Sequence, residues 1–240
     1  MLGILLAGVA PGLALLSYFY LKDKYEPEPV SMVVNTFFSG ALIIIPIAFI
    51  EYVLKIEKIV QFNSIYAIFS SGLIEEFFKW TVLFFIAYKS AEFDEPFDGI
   101  VYGTSISLGF ATAENILYLM NNGMEYALTR ALLPVSGHAL FGVIMGYYIS
   151  KAKFTKGRKW PFFLLSILLP VFLHGIFNFL LLHQGSWFAM SPYMVFLWWF
   201  SLRKVQLAEV SSYQHFKKNA MIPTGLSLKS GKKLFLPISR

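Results

Sequence analysis

Cysteine is absent from the 240 residues, which excludes disulfides, cysteine-ligated zinc and thiol catalysis. Any nucleophile has to be water, serine, threonine or a carboxylate. Charge is scarce as well: Asp, Glu, Lys and Arg make up 14% of the chain, against ~25% in an ordinary soluble domain. With 57% hydrophobic and 18% aromatic residues and a mean hydropathy of +0.61, water is not the main solvent of this fold. No internal repeat or low-complexity tract is visible, and no soluble domain separates the apolar stretches.

Those stretches are the dominant feature. Residues 2 to 21, 30 to 54, 64 to 89, 97 to 120, 130 to 149, 160 to 183 and 187 to 202 each approach the ~20 residues that carry a helix across hydrocarbon. The pattern predicts an all-α polytopic bundle of about seven spans in the cell membrane, with residues 1–202 as the transmembrane domain and 203–240 as a mobile basic tail. Pro46 is expected to kink the second span. The first run is too long for a signal-peptide core and has no small-residue cleavage site before Lys22 and Asp23, so it is expected to remain as a span.

Lysine and arginine set the expected orientation. With the N-terminus outside, the outer loops hold only Lys55, Lys58 and Arg130, and every other basic residue except Lys79 falls in an inner segment or the tail. That asymmetry predicts N-out and C-in. The 89 to 98 loop runs against it, with Glu92, Asp94 and Glu95 beside a single lysine. The net charge of +6 is then explained by attraction to anionic inner-leaflet lipid, and no nucleic-acid partner is expected.

Ionisable groups inside hydrocarbon are costly and usually face a cavity or one another. Here they are Glu75, Glu76 and Lys79 in the third span, Glu114 in the fourth, His138 in the fifth and His174 in the sixth, with Asn178 one turn beyond. At the ~1.5 Å rise of a helical residue, Glu75, Glu114, His138 and His174 lie about 16, 9, 12 and 13 Å below the outer surface. Four helices thus bring polar groups to a similar depth. Glu75 and Lys79 have the i, i+4 spacing of a helical ion pair, which predicts that Lys79 neutralises Glu75 and leaves Glu76 on another face. His174 and Asn178 share a face. Gly142 and Gly146 form a small-xxx-small stripe that admits a neighbouring helix.

Five segments in this order are specific: GLIEEFFKW at 72–80, FDGIVYG at 97–103, FATAEN at 110–115, HALFG at 138–142 and HGIFN at 174–178. Together they resemble the PrsW family of bacterial membrane proteases, over nearly the whole chain except the tail. The resemblance implies a site-1 protease whose partner is a single-span anti-sigma factor, cut on its extracytoplasmic side under envelope stress. The family looks related to the type II CAAX prenyl proteases. Glu75 and Glu76 match their paired glutamate, and His174 with Asn178 matches their HxxxN. Glu114 stands where those relatives carry a histidine, which leaves His138 to supply that imidazole.

Peptide hydrolysis needs an activated water and a stabilised oxyanion. The expected roles are Glu75 as general base, Glu76 or Glu114 assisting, and His174 with Asn178 on the oxyanion. No cofactor is expected. A zinc site built from the two histidines and a glutamate ranks second, because no HExxH pair places two histidines on one helix. Two other classes share these features, a proton- or ion-coupled transporter and a non-catalytic scaffold. The absence of a repeat and the single polar layer speak against a transport path.

Overall fold

The computed structural model describes residues 1–57, 65–182 and 187–221, which are helical with no strand among them. In chain order the helices are α1 (Leu2–Leu21), α2 (Val30–Leu42), α3 (Ile44–Ile56), α4 (Ile65–Val82), α5 (Asp98–Asn122), α6 (Ala127–Arg130), α7 (Ser136–Phe154), α8 (Trp160–Leu182) and α9 (Trp187–Met221). A π-helical turn, Leu83–Tyr88, extends α4, and a second, Ala131–Val135, joins α6 to α7. Lys58, one of the three outer-loop basic residues, lies outside the described residues.

Among the described residues four stretches are long and apolar enough to cross a membrane: Leu2–Leu21, Val30–Ile56, Met124–Phe154 and Trp160–Leu182. The second is broken at Ile43, four residues after Ser39 and three before Pro46. Proline has no N–H to give to the carbonyl four residues back, and its ring clashes with it, so the chain turns where the sequence predicts a kink. Large side chains that face outward, such as Phe38, Phe49, Phe85 and Phe172, are exposed. That is the surface of a bundle solvated by lipid.

The core is α5. Nearly every residue from Asp98 to Thr112 is buried, because α1, α2 and α7 pack around it. The α5–α7 contact is close. Gly99 and Gly103 on one helix oppose Gly142 and Gly146 on the other, and a methyl group on Gly142 would meet the Gly103 carbonyl oxygen at 2.6 Å. The stripe expected on α7 therefore has a matching stripe on α5, and the two backbones touch. α4 packs on α8 at ordinary contact distance, where a Cβ on Gly72 would lie 3.4 Å from the Cβ of His174.

The last helix differs from expectation. Residues 203–221 continue α9 without a break instead of forming a mobile tail. Val205, Ala208 and Ser212 are buried, and their helical spacing puts them on one face. Ser212 Oγ accepts a hydrogen bond from the Phe97 N–H at 2.9 Å, and Glu209 lies 3.6 Å from Lys24. The charge of this segment hid its apolar periodicity. Residues 222–240 of the tail lie outside the described residues.

Candidate active site

Glu75, Glu76 and Lys79 occupy consecutive turns of α4, and the α4–α8 approach at Gly72 brings His174 over them. His138 enters from α7, which the glycine contact holds against α5 and its Glu114. Glu76 and Lys79 are fully buried, His138 is 4% exposed, His174 3% and Glu75 9%.

Lys79 is the hub. Its Nζ donates to Glu75 Oε2 at 3.2 Å and Glu76 Oε1 at 2.8 Å, and it lies 3.0 Å from His138 Nδ1. The ammonium also sits over the Phe110 ring at 4.2 Å. The expectation that Lys79 neutralises Glu75 and leaves Glu76 elsewhere is corrected here. The flexible four-carbon stem reaches back to both i−3 and i−4, and the shorter bond goes to Glu76.

The imidazoles take different roles from their neighbours. His174 Nδ1 lies 3.0 Å from Glu76 Oε1, so the ring donates its Nδ1–H there and turns Nε2 to the cavity side. Phe141 stacks on the same ring at 4.9 Å and fixes its plane. His138 is reversed. Its Nδ1 accepts from Lys79, and its Nε2 carries the proton toward Glu114 Oε2 at 3.2 Å. Both Nε2 atoms are 4.0 Å from Glu75 Oε2.

A cavity of about 600 Å³ opens on this cluster, with Glu75, Glu114, His138, His174 and Asn178 in its wall. All the residues singled out in the spans are thus brought together, Glu76 and Lys79 behind the wall and the others in it. Asn178 is a lining residue and takes no part in the hydrogen bonds within the cluster.

Two groups escaped the sequence reading. Arg130, placed in an outer loop, is buried at the end of α6 and lies 3.1 Å from Glu114 Oε2, with its Nε donating to Asn115 Oδ1 at 2.9 Å. Asn115 in turn donates to the Gly8 carbonyl at 3.1 Å, tying the site to α1. Glu51 on α3 accepts from Ser71 Oγ at 2.7 Å, and Ser71 is 3.3 Å from Glu75 Oε1. The signal for Glu51 was available, since it lies inside the second assigned span. Arg130 gave none, because a cation at a span end is ordinarily an interfacial anchor.

The sequence profile described as PrsW family intramembrane metalloprotease matches residues 28–202. The chain belongs to the PrsW family. It is 55% identical over 210 residues to the Protease PrsW of Geobacillus kaustophilus (strain HTA426), covering 87% of this chain and 93% of that one. Against the Protease PrsW of Bacillus subtilis (strain 168) the identity is 53% over 212 residues, covering 87% and 96%. With that of Clostridioides difficile (strain 630) it is 32% over 228 residues, covering 90% and 94%. No solved structure gives a significant match. The chain is accordingly a membrane-embedded protease of the PrsW family.

The family description implies a metal, and the donor set admits one. Glu75, Glu76, His138 and His174 each offer a ligand atom, all within 4.8 Å of one another. His174 is in the tautomer of a metal ligand, oriented by a carboxylate on its other nitrogen. Glu76 Oε2 is buried with no hydrogen-bond partner, which leaves an orphaned acceptor at the cluster. His138 would join the set through Nε2 only in its other tautomer, with the proton on Nδ1 and Lys79 no longer donating to that nitrogen. The two histidines come from different helices, so an HExxH pair is not required.

Proposed function

We propose that this cluster hydrolyses a peptide bond of a single-span membrane protein such as an anti-sigma factor, as the site-1 cut of regulated proteolysis under envelope stress. The observation that carries the reading is the position of Glu75. It is the carboxylate of the pair that faces the cavity, 4.0 Å from the Nε2 atoms of both histidines. In the proposed reaction Glu75 takes a proton from a water in the cavity, the water oxygen attacks the carbonyl carbon, and the proton passes to the departing amine. The Nδ2 amide of Asn178 donates to the developing oxyanion. Glu76 holds His174, while Lys79 holds Glu75, Glu76 and His138 in register, so each group reaches the reaction already oriented.

Glu76, His138 and His174 would hold a zinc-class ion, leaving Glu75 free as base. Such an ion supplies Lewis-acid polarisation of the carbonyl and a more acidic water. This departs from the expectation of hydrolysis without a cofactor. It rests on the His174 tautomer and the orphaned Glu76 oxygen, together with the family's description.

The direct test is co-expression with a tagged candidate anti-sigma factor, comparing the unsubstituted chain with Glu75→Gln. The expected result is a shortened substrate that disappears with the substitution while the enzyme remains in the membrane fraction. Equal processing by both would remove Glu75 from the reaction.

A further inference from the structure

A second set of carboxylates, buried except for Asp94, lies at the other end of α5. Asp98 begins that helix and Glu114 is sixteen residues further on, so the two clusters are separated by about 24 Å along the axis at ~1.5 Å per residue. Three chain segments meet there: Asp23 and Glu28 from the α1–α2 connection, Asp94 and Glu95 from the loop before α5, and Asp98 itself. Glu28 and Glu95 are 1% exposed and Asp98 is fully buried.

The protein supplies donors for only part of this set. Asp98 Oδ2 accepts the N–H groups of Asp94 and Glu95, each at 2.7 Å. Glu28 accepts the Tyr102 hydroxyl on one oxygen. The second oxygens, Glu28 Oε1 and Asp98 Oδ1, and both oxygens of Glu95 meet no N–H or hydroxyl donor; instead Glu28 faces Asp98 and Glu95 faces Asp23, carboxyl against carboxyl. Among the described residues no lysine or arginine forms an ion pair with Glu28, Glu95 or Asp98. Lys153 directs its ammonium to the carbonyls of Tyr88 and Ser90, at 2.7 and 3.4 Å. Buried carboxylates without a partner are costly, and a hard cation with oxygen ligands is one standard solution.

The spacing suits such an ion. One oxygen each from Asp23, Glu95 and Asp98 lies within 4.8 Å of the others, and the same holds for Glu28, Asp94 and Asp98. Oxygen ligands on a common Ca²⁺ at ~2.4 Å are at most about 4.8 Å apart, and on Mg²⁺ they are closer still. We propose that these carboxylates form a binding site for a hard divalent cation, separate from the catalytic cluster, which clasps the α1–α2 connection and the loop before α5 to the start of α5. Without an ion the facing carboxyls share protons, since burial pushes both Glu95 and Glu28 above the usual carboxylate range. Proton retention alone is the competing state.

The experiment uses the full chain in detergent carrying Glu76→Gln, which removes one donor of the catalytic set and leaves the Glu95→Gln comparison to assign the bound ion, titrated with Mn²⁺ while free ion is followed by electron paramagnetic resonance. Bound Mn²⁺ in at least equimolar amount, displaced by Ca²⁺ or Mg²⁺ and weakened at least tenfold by adding Glu95→Gln, is the expected result. No binding by the folded Glu76→Gln chain, or binding that Glu95→Gln leaves unchanged, overturns the site. Should Glu95→Gln fail to fold, the thermal midpoint of the Glu76→Gln chain decides. A rise with Ca²⁺ or Mg²⁺ that equal ionic strength of Na⁺ does not reproduce supports the clasp, and an unmoved midpoint overturns it.

Discussion

Lys79 Nζ on α4 lies 3.0 Å from His138 Nδ1 on α7. With its other two protons on Glu75 and Glu76, the ammonium has one acceptor for each N–H. That side chain holds α4 and α7 in register. The bond also determines that His138 presents its Nε2 proton to Glu114.

Removing that hub should therefore cost stability as well as activity. Lys79→Met leaves two buried carboxylates uncompensated, a loss of about 3–5 kcal/mol for a broken buried pair. The expected readout is a large fall in the thermal midpoint of the detergent-solubilised protein. Adding Glu76→Gln should recover part of it, because the second change removes one stranded charge. A Lys79→Met protein as stable as the parent would show that the ammonium is not the counter-charge.

Substitutions in the cavity wall should act on chemistry with little effect on the fold. Glu75→Gln and His174→Ala are each expected to reduce cleavage by at least the ~10²–10⁴-fold of a lost general base. Asn178→Ala should cost less, since it removes one oxyanion donor. Arg130→Gln is expected to lower activity partially through Glu114. Cleavage rates per mole of membrane-inserted enzyme separate these cases, and full activity in His174→Ala would exclude that histidine.

Chelation distinguishes the two forms of the mechanism. With a zinc-class ion held by Glu76, His138 and His174, a chelator should stop turnover of the purified enzyme and added zinc should restore it. Unchanged turnover in chelator, with bound metal shown absent by elemental analysis, would return the reaction to Glu75 acting without an ion.

The glycine contact gives a prediction remote from the chemistry. In Gly142→Ala the new methyl meets the Gly103 carbonyl at 2.6 Å and Ser107 Oγ at 2.8 Å, so α5 and α7 must separate. Overpacking of this kind costs about 1–3 kcal/mol. It also draws Glu114 away from His138, and activity should fall more than the lowered midpoint alone explains. Parental activity at a temperature where the variant is fully folded would rule out this coupling.

The sequence by itself determined the solvent and the polar groups. Apolar runs of span length and the rarity of charge dictate helices in lipid, where every backbone group must be satisfied within its own segment. The cost of charge in hydrocarbon singles out Glu75, Glu76, Glu114, His138 and His174 before any fold is known. Helical rise alone places four of them at one depth. The PrsW-family motifs were equally legible.

What the sequence did not carry are relations between helices. Whether Lys79 serves Glu75 or both glutamates depends on how α7 and α8 pack on α4, and a local i, i+4 rule does not contain that information. Arg130 resembled an interfacial anchor until the turn of Ala131–Val135 carried it to Glu114. Residues 203–221 were read by charge, whereas the burial of Val205 and Ala208 depends on surfaces hundreds of atoms away in the chain. The two histidines become one donor set because α8 packs on α4 at His174 and the α5–α7 glycines position His138. Tautomers, orphaned oxygens and shared cations are properties of distances between helices, and only the tertiary structure sets those distances.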